Sequence, residues 1–165
     1  VTAGIGADEM RDEFNLQDDD YNGIMVQLLA DRMAEACAEW LHAKVRSECG
    51  FPDMKETTLD DLLKEKYRSI RPAFGYPACP DHRELTKVFR LLDAGQIGME
   101  LTESCAIIPA ASVSGLYFAH PEANYFSVGK VDLEQVEDYA HRQGIGVKEA
   151  EHHLYMNLGY FPTDE

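Results

Sequence analysis

The chain has 165 residues, 45% of them hydrophobic and 27% charged, with a formal net charge of −15. That size and composition describe one globular domain with its own core. The acidic balance argues against nucleic acid and anionic membrane surfaces as partners, and no apolar run reaches the length of a spanning helix.

In chain order, residues 1–17 are acidic and weakly patterned, with a short helical turn expected over 11–16. Asp18, Asp19 and Asp20 offer N-cap oxygens and negative charge to a long helix over 21–48. Met25, Leu28, Leu29, Met33, Ala36, Cys37, Trp40 and Leu41 recur at helical spacing, so that stripe is expected to face the core. Asp31, Glu35, Ala38 and His42 lie on another side. Gly50 and Pro52 end the helix. Thr57 or Thr58 caps a short helix reaching to about Tyr67, with Asp60 and Asp61 in its first turn.

Beyond the motif at 71–80, Asp81 and Glu84 resemble a capping box. The helix they open carries Leu85, Val88, Phe89 and Leu92 and stops near Gly95. Strands are expected over 101–108, 112–119 and 125–131. Asp132 and Gln135 start a helix that Gly144 closes, a last helix follows over 147–154, and 159–165 form a tail. Helices around three consecutive strands imply an α+β fold: a twisted antiparallel sheet meander flanked by helices, with one long N-terminal helix.

The stretch Arg71-Pro72-Ala73-Phe74-Gly75-Tyr76-Pro77-Ala78-Cys79-Pro80 is the most constrained in the chain. Each proline fixes its own φ, removes a donor and pushes the preceding residue out of the helical region. Gly75 permits positive φ or close approach of a ligand to the backbone. Arg71 brings a planar donor fork matched to a carboxylate. Tyr76 brings an aromatic face with a polar tip. Rigid backbone, carboxylate fork and aromatic wall suit a small zwitterion. The bland counterpart is a stiff connection in which Arg71 pairs with Glu65 or Glu35.

Ile70-Arg71-Pro72-Ala73-Phe74-Gly75-Tyr76-Pro77 resembles the R-x-x-x-G-Y motif of the S-adenosylmethionine-binding activation domain of cobalamin-dependent methionine synthase. Further blocks resemble the same domain in order. They include Asp19-Asp20-Tyr21-Asn22, Ala30-Asp31-Arg32, Leu101-Thr102-Glu103-Ser104, Ser112-Val113-Ser114-Gly115, Gln135-Val136-Glu137-Asp138-Tyr139-Ala140 and Asn157-Leu158-Gly159-Tyr160. The matched part is the C-terminal half of the family domain, so the resemblance implies that residues 1–165 are a single domain corresponding to that half. The family usually has proline where this chain has Phe74.

The resemblance implies a role in reactivation. After cobalamin oxidises, flavodoxin or a flavoprotein reductase gives an electron and S-adenosylmethionine remethylates cob(I)alamin. The cobalamin would be carried by a neighbouring cobalamin-binding domain or chain. The resemblance implies that Arg71 clamps the ligand carboxylate and that Ala73 and Gly75 offer backbone contacts. It also implies that Tyr76, Tyr125 and Phe126 wall the pocket and that Glu35 and Glu65 favour the amino group or sulfonium. The chain would act as part of a methyltransferase, transferring methyl from 5-methyltetrahydrofolate to homocysteine. The rival reading is a non-catalytic regulatory or docking module. No motif assembles a base, nucleophile and orienting group, so no catalytic residue is expected in the protein. The histidines have no metal-ligand spacing, so no metal is expected. Cys37, Cys49, Cys79 and Cys105 form no C-x-x-C pair and read as reduced thiols of a cytoplasmic protein.

Overall fold

The computed structural model describes residues 1–163; Asp164 and Glu165, the end of the expected tail, lie outside the described residues. The fold is α+β, dominated by a long helix near its start and completed by a small antiparallel sheet. Helix α1 (Ala7–Asn15) is longer than the expected turn and lies across the start of α2 (Asp20–Glu48). A Cβ on Gly23 would stand 2.6 Å from Asn15 Oδ1 and 3.5 Å from Arg11 O, so the two helices meet closely there and the Asn15 side chain would have to turn aside for a larger residue. Asp19 caps α2 by accepting from the Asn22 amide, 3.1 Å away.

The inward face of α2 differs from the expected one. The buried row is Ala30, Ala34, Ala38, His42 and Arg46, one residue every four. The larger apolar side chains point out: Leu28 is 49%, Leu29 57%, Met33 64% and Trp40 63% exposed. Hydrophobic periodicity identifies a stripe but does not say what covers it. Alanine contributes little to such a signal, yet its small side chain lets neighbouring segments come close.

Helix α3 (Leu59–Leu63) has a capping box between Thr58 and Asp61. It stops short of the expected Tyr67, because Glu65 takes a left-handed backbone with φ of 52°. Asp81 does not form the anticipated box with Glu84. It is buried, accepts from the Arg83 amide at 2.9 Å and from Tyr139 Oη at 2.6 Å, and opens a 3₁₀ turn (His82–Glu84) ahead of α4 (Leu85–Leu92). Asp132 and Gln135 do form a box at the start of α5 (Leu133–Gln143), which Gly144 closes in the left-handed region; α6 (Val147–His153) follows. Val136 and Ala140 of α5 pack on Ala150, Leu154 and Leu158 as the C-terminal core.

The sheet is smaller than a three-stranded meander. What reads as one strand over 101–108 is a hairpin of β1 (Glu100–Leu101) and β2 (Ile107–Ile108). The segments 112–119 and 125–131 form no strand, the second containing Gly129 at φ of 73°, and they do not pair with their sequence neighbours. Ser112 bridges Thr2, Phe118 bridges Ile70, and Val131 bridges Leu158. The Leu116 amide donates to Pro72 O at 3.0 Å, and the Val128 amide to Pro77 O at 2.9 Å. Proline cannot return such bonds, so these contacts stay isolated and form no ladder. The two segments nevertheless both bond to the proline-rich motif. Among the described residues no helix is long and apolar enough to cross a membrane.

Candidate functional site

A cleft of about 860 Å³ opens beside the motif. The α2 residues Ala38 and Leu41 line it, as do Val88, Phe89 and Leu92 of α4 and the residues Val113, Ser114, Gly115 and Tyr117. Of the eight residues implicated by the sequence, Arg71, Ala73, Tyr76, Glu65, Tyr125 and Phe126 meet on its wall. Tyr76, Tyr125 and Phe126 are all exposed and give the cleft wall aromatic surface. Tyr125 is also tied to the motif, its hydroxyl accepting from the Arg71 amide at 3.1 Å.

Gly75 and Glu35 do not line the cleft. Gly75 sits at φ of 83°, and its N–H is already given to Cys79 O at 2.8 Å, leaving only its carbonyl for a ligand. Glu35 is on the outer part of α2, paired with Arg32 at 2.8 Å.

Arg71 has an acid partner, but it is neither Glu65 nor Glu35. Its Nη1 and Nη2 both reach Glu39, Nη1 to Oε2 at 2.8 Å and Nη2 to Oε1. Nη1 also donates to Tyr67 Oη at 2.9 Å and approaches His42 Nδ1 at 3.3 Å. Glu39, His42 and Tyr67 are thus site residues that sequence reasoning missed. A signal existed for two of them: Glu39 and His42 lie three residues apart and so share a helix face.

His42 is completely buried. Its ring stacks on Tyr117 with centroids 4.6 Å apart and meets Tyr67 edge-on. A guanidinium can only donate, so Nδ1 is the accepting nitrogen and Nε2 carries the proton. Nε2 then donates to Ser69 Oγ at 2.9 Å. Burial, reinforced by the positive charges of Arg46 and Arg71, pushes His42 down to about 4. Burial pushes the Tyr67 hydroxyl up to about 12. Arg46, itself buried, stacks 3.8 Å over the Tyr67 ring and holds Asp53 through Nε at 2.8 Å. The wall behind Arg71 is therefore a fixed polar network whose histidine is neutral at neutral pH.

A base whose pKa is lowered by folding contributes stability that is fully present above its unfolded pKa of about 6.5. That stability is lost as pH falls through the folded value, here about 4. The native chain should therefore lose melting temperature between those two pH values faster than His42→Gln, in which this group no longer titrates. Parallel melting-temperature curves for the two proteins across that window would refute the neutral buried histidine.

Two comparisons bear on this site. The family model described as the vitamin B12 dependent methionine synthase activation domain matches residues 1–144. A crystal structure of the MetH reactivation domain bound to AdoHcy is similar, with 49% sequence identity and a TM-score of 0.86. The match covers 94% of this chain and 48% of that one, so this chain spans about half the length of its solved relative.

Proposed function

The chain belongs to the vitamin B12 dependent methionine synthase activation domain family, and from that membership we propose that it binds S-adenosylmethionine for reductive remethylation of cobalamin. The solved relative binds AdoHcy, which is what S-adenosylmethionine leaves behind once its methyl group has gone. When bound, S-adenosylmethionine supplies an electrophilic methyl group, and a cobalamin on a neighbouring domain or chain supplies the nucleophilic metal. The protein's part is to bind, orient and enclose.

The observation that carries this reading is Arg71 on the wall of a cleft that Glu65, Tyr76, Tyr125 and Phe126 also line. Arg71 would take the amino-acid carboxylate of the ligand. Glu65 would favour its positive groups, and the aromatic residues would hold the adenosine and face the cobalamin. Ala73 would contribute backbone contacts, and Gly75 its carbonyl. Glu35 keeps a part in this reading only by leaving Arg32 and turning towards the ligand. Methionine synthase, a methyltransferase, is the enzyme such a domain would serve. A cobalamin-binding domain would be its partner, and flavodoxin or a flavoprotein reductase the electron donor. Cys37, Cys49, Cys79 and Cys105 are free thiols, which agrees with a cytoplasmic setting.

Calorimetric titration of the purified chain with S-adenosylmethionine tests the reading. One site per chain is expected, tighter when a polypeptide equivalent to the rest of the relative's length is added. A flat titration both with and without that polypeptide would return the chain to a regulatory or docking module.

A further inference from the structure

A guanidinium has five N–H donors and offers two edges that can grip a carboxylate with two parallel bonds. One is the end edge, Nη1 with Nη2; the other is the side edge, Nε with Nη2. In Arg71 the end edge is filled by Glu39, and the remaining hydrogen of Nη1 is shared between Tyr67 Oη and His42 Nδ1. Among the described residues nothing accepts from Nε or from the second hydrogen of Nη2. Those two hydrogens lie on the same edge. Arg71 lines the cleft, while Glu39 stands behind it on α2, a long helix that locates it rigidly.

We propose that Glu39 is a positioning residue for the ligand carboxylate: by occupying the end edge of Arg71 it presents the side edge as the one two-bond fork. This rests on the reading of Arg71 as a carboxylate clamp and adds the residue that sets the clamp's orientation. Tyr67 and His42 hold only Nη1, which fixes a point but not a direction. Glu39 holds two nitrogens and so fixes the plane. His42 is suited to its place because it is neutral; a protonated ring would turn an acceptor into a donor and repel the guanidinium. Glu39 also balances the charge of Arg71, so a bound carboxylate is left to offset part of the ligand's own positive charge.

The test is a comparison of two ligands on two proteins. Native chain and Glu39→Gln are titrated with S-adenosylmethionine and with its decarboxylated counterpart, which keeps the adenosine, sulfonium and amine. Glutamine retains one acceptor and a similar size but cannot grip two nitrogens. Glu39→Gln is expected to weaken S-adenosylmethionine roughly tenfold, the loss of about one charge-assisted bond, and to leave the decarboxylated ligand within about twofold. Equal weakening of both ligands, or of neither, overturns the proposal, since a merely structural role does not distinguish them. A second measurement needs no ligand. Nitrogen-15 NMR of the Arg71 side chain should show hindered rotation about Nε–Cζ in the native chain and free rotation in Glu39→Gln; equally free rotation in both refutes the positioning role. Should the native chain bind neither ligand, the proposed function fails, and the NMR comparison still decides the place of Glu39.

Discussion

Arg71→Ala should lose ligand and stability together, by separable amounts. Removing a charge-assisted bond costs about 1.5–3 kcal/mol, so S-adenosylmethionine should bind roughly ten- to hundredfold more weakly. Stability falls for a different reason. Glu39 is 36% exposed and can turn to water, so loss of the ion pair itself costs about 1 kcal/mol or less. His42 Nδ1 is fully buried and would lose its nearest donor, which adds about 1–3 kcal/mol. Arg71→Lys keeps the charge but cannot fork, and should fall between the native chain and Arg71→Ala in affinity. Thermal melting and calorimetric titration on the same preparations separate the two effects. A lowered melting point with unchanged affinity would leave Arg71 as a structural ion-pair residue and remove the clamp.

Gly115→Ala is the second large effect, and it acts on the motif from the opposite side. A Cβ at position 115 would stand 2.9 Å from Pro72 O and 3.5 Å from Arg71 O. Both are backbone atoms of the motif, so no side chain can swing aside to make room. The segments would have to separate, lengthening the bond from the Leu116 amide to Pro72 O and straining the bridge between Ile70 and Phe118. Overpacking of this kind costs about 1–3 kcal/mol, or roughly 2–12 °C of melting temperature for a chain of this size. Because the strain falls on the peptide that carries Arg71, affinity should fall as well. A variant with native melting and native affinity would show that the two segments slide apart without consequence.

Much of the architecture was legible because it depends on local rules. The caps at Asp19, Thr58 and Asp132, the long helix and the closing Gly144 all follow from residues within a turn of one another. The motif was legible because three prolines leave so few backbone conformations. What failed was anything decided by a distant partner. The row Ala30, Ala34 and Ala38 faces in because other segments come close to it, and no pattern within α2 says so. The segments around Phe118 and Val128 bond to the motif and not to each other, which strand propensity cannot foresee. Arg71 could be read as an ion-pair former, but choosing Glu39 over Glu35 or Glu65 required knowing how α2 is rotated about its axis.

That rotation also has an optical consequence. Trp40, the single tryptophan, is the residue after Glu39, yet it points away from the cleft and is 63% exposed. Its fluorescence therefore monitors the outer face of α2 and is nearly blind to the pocket. Ligand entering the cleft leaves the indole in water, whereas any polypeptide that lies along Leu29, Met33 and Trp40 withdraws it and shifts the emission to shorter wavelength. One intrinsic probe thus distinguishes filling of the cleft from covering of the helix within the same sample.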